Sequence, residues 1–207
     1  FLIIILPLMI LLLVGKSVAF NDSYYEKKFL EYGLYEGIPQ LSSIHNQVID
    51  FIKGKNNELP DAFNEREKQH LADVRNVVRK LSNFLYFLIV LFLALSITSI
   101  YKLKNRKRTI NFLGGVLFYS GLLTITVSVI LFLLMIFDFA AAFESFHMLF
   151  FESESYVFDP NDLIVRVYPE DLFMNLGLRI AKIVLITSVL SVLIGKFLMI
   201  KPKRIKR

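Results

Sequence analysis

The 207 residues are 55% hydrophobic and 20% charged, with a formal net charge of +6 and a mean hydropathy of +0.56. That is the composition of an integral membrane protein, and the lack of cysteine excludes disulfides, thiolate metal sites and a cysteine nucleophile. The basic residues fall in short runs without interleaved aromatics, a topology signal that excludes a nucleic-acid surface.

A hydrocarbon core about 30 Å thick needs about 20 apolar residues in a helix. Four segments meet that requirement: 1–20, 83–101, 110–137 and 176–200. The chain begins at Phe1 without an initiator methionine, so residues are expected to precede it. Segment 1–20 ends in "GKSVAF" and has two readings, a cleavable signal peptide or a retained helix. The retained helix is preferred, because three spans would make it harder to place both basic runs on one side.

Within 21–82, "GIPQLSSIHNQVIDFIKG" sets Leu41, Ile44, Val48, Phe51 and Ile52 at helical spacing, with Pro39 at the start and Gly54 as the stop. The pattern predicts a short amphipathic helix lying on the bilayer or on its own domain. His45 sits beside that stripe and reads as an ordinary surface or partly buried histidine. Further on, Asn64 and Glu67 form a capping box. The helix it opens is expected to run unbroken into the span at 83. Arg66, Glu67, His70 and Asp73 fall three or four residues apart on one face of it, beside a stripe of Leu71, Val74, Val78 and Leu81. Arg66 and Glu67 fit a solvated ion-pair face. His70 with Asp73 is more specific, since a carboxylate one turn away can orient an imidazole and stabilise its charged form.

The loop 102–108, "KLKNRKR", and the tail 201–207, "KPKRIKR", each carry five Lys or Arg and no acid. Segment 138–175 carries eight acids (Asp138, Glu144, Glu152, Glu154, Asp159, Asp162, Glu170, Asp171) against Arg166 alone. Short basic loops stay in the cytoplasm. The expected fold is therefore an all-α membrane protein, a single integral membrane domain over 1–207. Its four transmembrane helices run N-in/C-in, under a small extracytoplasmic cap formed by 21–82 and 138–175. Gly114, Gly115 and Gly121, inside the third span, are expected to allow close helix packing.

Just past that span, "AAAFESFHMLFFESESYVFDP" sets His147 among Phe143, Phe146, Phe150, Phe151, Tyr156 and Phe158. An imidazole beside a low-dielectric layer is disfavoured unless it is paired or used. Glu144 is the candidate structural partner. His70 and His147 both lie on the outer side, where the two can meet beneath the cap. Asp159-Pro160 and Tyr168-Pro169 read as turns. Arg179 and Lys182 fit snorkelling to headgroups, with a phosphate or substrate carbonyl as the alternative ligand for Arg166 or Arg179. No nucleophile-elbow glycines flank Ser145 or Ser42-Ser43, so nothing supports a serine hydrolase.

The stretches "FNEREKQHLADVRNV" and "FHMLFFESESYVFDPNDLIVRVYPEDLF" combine an E-x-x-H-x-x-D-V helix with a later F-H-x-x-F-F. In that spacing between spans the sequence resembles the lipoprotein intramolecular transacylase family over most of its length. The likeness includes the tyrosines of "DSYYEKKF"; one departure is the absence of Trp, with Tyr156 standing where Trp is expected. The resemblance implies a multi-pass cell-membrane enzyme whose active site faces the extracytoplasmic side, needing no cofactor and no metal. It implies catalytic roles for His70 and His147, support from Asp73, Glu67 and Arg66, and substrate contacts from Tyr24, Tyr25, Phe143, Phe146, Phe150, Phe151, Tyr156, Phe158 and Arg166. The implied partners are a diacylated lipoprotein substrate and membrane lipids. The implied reaction moves the sn-2 acyl chain of the diacylglyceryl group to the α-amine of the substrate's N-terminal cysteine. One histidine would serve as base and the other as hydrogen-bond and proton donor, with the assignment open. The Phe rings would seat acyl chains and exclude water, although each alone also fits packing or interface anchoring.

Two other readings stand beside this one. "EKQH" and "ESFH" are both Glu-x-x-His, a spacing used by di-metal carboxylate proteins, which would also need Glu26 or Glu31 and Glu170. A non-enzymatic membrane assembly factor with a folded cap is the third.

Overall fold

The computed structural model describes residues 1–151 and 155–199, and among them the regular structure is entirely helical. In chain order the helices are α1 (Leu2–Ala19), α2 (Asp22–Glu31), α3 (Leu34–Gly37), α4 (Leu41–Ile52), α5 (Glu65–Leu103), α6 (Arg106–Phe137), α7 (Phe139–Phe150), α8 (Leu163–Val167) and α9 (Glu170–Met199). Four of these, α1, α5, α6 and α9, are long and apolar enough to cross a membrane. They coincide with the four expected spans, so the protein is an all-α, multi-pass membrane protein. The expected continuous helix from the capping box into the second span is present as the 39 residues of α5. Glu152, Glu154 and the basic tail 201–207, all used above to argue topology, lie outside the described residues.

The chain divides into two compact units. The first takes Phe1–Gly15, Phe84–Leu133 and the chain from Ile180. Its apolar core includes Ile5 and Met9 of α1 packed with Leu85 and Leu88 of α5. Large apolar side chains also point outward from it, such as Val90 and Leu193, as lipid-facing residues do. The contact between α6 and α9 is made by small residues. A Cβ on Gly195 would stand 2.5 Å from the Phe118 nitrogen, and one on Gly121 would stand 2.7 Å from Val192 Cγ2. A Cβ on Gly114 would stand 2.9 Å from the Gly195 carbonyl oxygen. Such close backbone approach is what glycine supplies to membrane helix pairs. Gly115 faces looser space, with only Met199 Sδ near it at 3.9 Å. Ser191 Oγ donates to the Leu117 carbonyl at 2.9 Å and adds a polar tie.

The second unit takes Lys16–Asn83 and Leu134–Arg179. In α4, Leu41, Ile44, Val48 and Phe51 are buried as their spacing predicts, together with Ile49. Gly54, at φ +74°, ends that segment in the left-handed region where glycine is favoured. The Asn64–Glu67 capping box is formed in both directions: Glu67 N–H donates to Asn64 Oδ1 at 3.0 Å and Asn64 N–H donates to Glu67 Oε2 at 2.7 Å. Asp138 breaks α6 from α7 and caps the latter, accepting the Ala141 N–H at 2.9 Å. The 159–162 turn closes through Asp162 N–H to the Asp159 carbonyl at 2.9 Å, and Tyr168-Pro169 separates α8 from α9. Phe29, Leu41, Phe63, Val167 and Leu172 are fully buried at the centre of the unit.

Candidate active site

Helix α5 brings His70 and helix α7 brings His147 to one place in the second unit. Their rings stack with centroids 6.2 Å apart and planes 23° from parallel. Both are nearly buried, at 7% and 9% exposure. Aromatic rings close around them. Phe151 lies 5.0 Å from His70 and 5.5 Å from His147, and Phe158 meets His70 edge-on at 5.3 Å. Phe143, Tyr156 and Phe146 stand 4.2, 4.9 and 5.6 Å from His147. Phe150 packs on Phe146 at 4.8 Å and is one layer further out.

The proton on His147 can be placed. Its Nδ1 lies 2.7 Å from the Phe143 carbonyl oxygen. A carbonyl can only accept, so Nδ1 is the donor, and in the neutral ring the lone pair sits on Nε2. Burial lowers the His147 pKa, and the Phe143 carbonyl opposes that shift less strongly. His70 is pushed down to about 4, chiefly by burial and further by the neighbouring His147. Its Nδ1 is buried without a hydrogen-bond partner among the described residues. Near neutral pH both rings are therefore uncharged, and the pair presents a lone-pair nitrogen on each ring, Nε2 in His147, and one free ring N–H on His70 inside an apolar enclosure. Two uncharged imidazoles so placed can take up and give up protons, which an ion-pair network does not.

The surrounding charged residues are arranged differently from the sequence expectation. Glu144 is exposed, and the partner of His147 is a backbone carbonyl instead. Asp73 accepts from Gln69 Nε2 at 3.3 Å, and among the described residues no hydrogen bond joins it to His70. Helical spacing placed Asp73 one turn away, but its carboxylate leans toward solvent while the imidazole turns inward. Glu67 is no part of a solvated face. It is 1% exposed and bonded to backbone N–H groups. Arg66 sets its guanidinium 5.5 Å from the centre of the Phe158 ring. Three expected substrate contacts engage other partners. Tyr24 lies under the Arg179 guanidinium, at 4.3 Å, and Tyr25 lies tilted against His45 at 4.5 Å. Arg166 donates to the Gly37 carbonyl at 3.1 Å. The di-metal reading gains no support here: each Glu67 oxygen accepts a backbone N–H, and Glu144 of the second motif is exposed. Among the described residues no group of three His, Asp or Glu side chains could hold a metal.

A sequence model of the family described as lipoprotein intramolecular transacylase Lit matches residues 1–173. The chain belongs to this family. As a member of the lipoprotein intramolecular transacylases it is an acyltransferase, and the non-enzymatic assembly-factor reading falls away. The fold is similar to the in meso structure of the membrane-integral lipoprotein intramolecular transacylase Lit from Bacillus cereus, with a TM-score of 0.81 at 22% identity, covering 95% of this chain and 92% of that one. It is also similar to two structures of the same Bacillus cereus protein in which a histidine is replaced by arginine or by alanine, with TM-scores of 0.74 and 0.75 over 95% of this chain. No curated protein gives a significant match.

For this transacylase the residue that sequence reasoning misjudged is His45. It is fully buried, with Nδ1 3.0 Å from the Tyr168 hydroxyl, and Phe29 meets it edge-on at 5.2 Å. Its position next to the apolar stripe of α4 was the available signal, but burial depends on α2 and Tyr168, which are distant in sequence.

Proposed function

We propose that this transacylase moves the sn-2 acyl chain of a diacylglyceryl lipoprotein to the α-amine of the substrate's N-terminal cysteine, with His70 and His147 as its acid–base pair. The observation that carries the reading is the stacked, nearly buried, uncharged imidazole pair inside a ring of aromatic side chains. Both reacting groups belong to one substrate molecule, so no protein nucleophile is needed. Holding the amine against the ester carbonyl can supply on the order of 7 kcal/mol or more of the barrier. His147 fits the base: its Nε2 lone pair takes the proton from the attacking amine, while Nδ1–H stays on the Phe143 carbonyl and stabilises the cation that forms. His70 donates its ring N–H to the developing oxyanion. When the tetrahedral intermediate collapses, the acyl carbon–oxygen bond breaks. The proton held by His147 then passes to the glyceryl oxygen. One proton leaves nitrogen and one arrives at oxygen, so the enzyme returns to its starting state. Phe143, Phe146, Phe151, Tyr156 and Phe158 seat acyl chains and keep water from the ester.

The same reading makes the chain one integral membrane domain, N-in/C-in, with the segments 21–82 and 138–175 as an extracytoplasmic cap that carries the site. The support is the run Lys102, Lys104, Arg106, Lys107 and Arg108 between α5 and α6, which favours the cytoplasm. A reporter fused after Arg207 should read as cytoplasmic, and an extracytoplasmic signal would overturn the orientation. The activity is tested with the purified protein and a synthetic diacylglyceryl-cysteine peptide. Transfer leaves the peptide mass unchanged while its free amine disappears. Persistence of the amine under all conditions would end this reading.

A further inference from the structure

The chain that carries the aromatic wall beside His70 is held by a buried carboxylate whose hydrogen bonds go to backbone N–H groups. Glu67 precedes His70 by three residues on α5, and its two oxygens serve two distant pieces of backbone. Oε2 accepts the Asn64 N–H at 2.7 Å and completes the helix cap. Oε1 accepts the N–H of Ile164, near the start of α8, at 2.8 Å. A capping box requires only the first of these bonds. The second is unusual, because it buries a carboxylate to hold a segment 97 residues away. Charge-assisted bonds from two backbone donors are what make such burial tolerable.

The segment so held leads straight back to the pocket. Phe158 stands edge-on to His70 and beneath the Arg66 guanidinium, and Tyr156 lies beside His147. From Phe158 the chain passes through the 159–162 turn to Ile164. The turn is tied internally by Asp159 N–H to Asp162 Oδ2 at 2.9 Å, and to α5 by Asn64 Nδ2 to Asp162 Oδ1 at 3.2 Å. One wall of the pocket therefore takes its position from Glu67, and the helix turn that carries Glu67 also carries His70.

We propose that Glu67 is a positioning residue that decides whether the amine or water receives the acyl group, by holding residues 156–158 against the histidine pair. The inference rests on the function proposed above. The ester in the site faces two nucleophiles served by one base. Attack by the α-amine forms the C–N bond, breaks the ester C–O bond and moves a proton from nitrogen to the glyceryl oxygen. Attack by water forms a C–O bond to the water oxygen, breaks the ester bond and releases a fatty acid. A water proton then ends on the glyceryl oxygen and the amine stays free. The base does not discriminate between them; the closed wall does.

The test uses the full chain in lipid nanodiscs with a diacylglyceryl-cysteine peptide, read by intact mass. Transfer keeps the peptide mass and removes the amine, whereas hydrolysis lowers the mass by one acyl group and leaves the amine. Glu67→Gln keeps the side-chain volume and one acceptor oxygen but sets an NH2 against a backbone N–H. It is expected to lower kcat for transfer on the order of 10²-fold through misplacement of the reacting groups, with KM changed by less than about twofold. Hydrolysis should rise from a trace to a major share of turnovers. Asn64→Ala is an exposed substitution that keeps the Glu67–Ile164 bond, loses the tie to Asp162 and also removes the Asn64 Oδ1 cap on the Glu67 N–H. It should show a smaller shift in the same direction, and it carries the test if Glu67→Gln does not fold. Folded variants that lose rate with no change in the share of hydrolysis would overturn the inference and leave Glu67 a purely structural cap. Failure of the wild type to transfer would overturn the proposed function instead, so the two failures are distinguishable.

Discussion

The second unit contains two buried histidine clusters of similar composition. Around His45 stand Tyr25, Phe29 and Tyr168; around His70 and His147 stand Phe143, Phe151, Tyr156 and Phe158. In both, burial is the main cause that lowers the imidazole pKa. The difference lies in closure and pairing. His45 is sealed at 0% exposure and tied by a side chain hydroxyl to the residue that ends α8. Burial also pushes the Tyr168 hydroxyl well up, so it remains protonated and able to bond. The other cluster keeps 7% and 9% exposure and stacks two imidazoles on each other. A histidine among aromatics is thus not by itself a sign of chemistry. A second imidazole at stacking distance, in a cluster that is not wholly sealed, is the sign; an unpartnered ring nitrogen is not, since His45 Nε2 is also buried without a partner among the described residues.

The largest effect should come from breaking the paired cluster. His147→Gln keeps hydrogen-bonding capacity but cannot carry a proton, and it is expected to lower acyl transfer by about 10²–10⁴-fold. His70→Gln should behave alike, and the double variant should lose little more than either single one, because groups acting in one proton-transfer unit are non-additive. Thermal midpoints should stay close to wild type. A folded His147→Gln protein with near wild-type turnover would show that this pair is no more catalytic than His45.

The sealed cluster should show the opposite signature. His45→Ala removes a fully buried ring and strands the Tyr168 hydroxyl, so it is expected to destabilise the protein by about 2–4 kcal/mol. Turnover per folded molecule should hold. A lost kcat at unchanged stability would move His45 into the chemistry and dissolve the distinction between the clusters.

Much of this arrangement was legible in local sequence pattern. The four spans, the α4 stripe, the Asn64–Glu67 cap and the placement of His147 among phenylalanines all depend on residues within a few positions of one another. What could not be read depends on long-range pairing. Glu67 matches a local capping box, and nothing nearby in sequence reveals that its other oxygen reaches Ile164. Gly195 shows as a lone glycine in an apolar run until α6 packs against it. Tyr24, Tyr25 and Arg166 share a segment with the site residues, yet their side chains turn to other partners.

The two clusters can also be separated by acid. An unfolded histidine titrates near 6.5, whereas His45 and His70 are each held at about 4 in the folded chain. Between those values the unfolded chain binds protons that the folded chain refuses, so stability falls as pH drops from about 6.5 to about 4 and changes little above that window. Thermal midpoints measured across pH 4–8 should follow this curve, each such histidine adding about 1.4 kcal/mol per pH unit within the window. His45→Phe should flatten the acid side of the stability curve. It should leave the acid side of kcat/KM in place, since that limb follows His70 and His147 and lies below the ordinary histidine value. A flattened rate profile in His45→Phe would show that the clusters are coupled.

The smallest expected effect concerns Asp73, where sequence and structure disagree most directly. Three-residue spacing on a helix places Asp73 beside His70, and a paired carboxylate would raise the imidazole pKa and hold it charged. In the structure the carboxylate takes its hydrogen bond from Gln69, and His70 is instead held low by burial and by His147. A charged His70 next to a second imidazole would repel the proton that the proposed mechanism moves onto His147, so an uncharged His70 suits that mechanism better. Asp73→Asn is therefore expected to change kcat/KM by less than about twofold, within the range of exposed substitutions away from a site. The measurement is sharpest as a pH profile. If Asp73→Asn moved the acid limb downward and cut the rate tenfold or more, Asp73 would have to swing onto His70 when substrate is bound, and the paired cluster would then work with one charged ring and not two neutral ones.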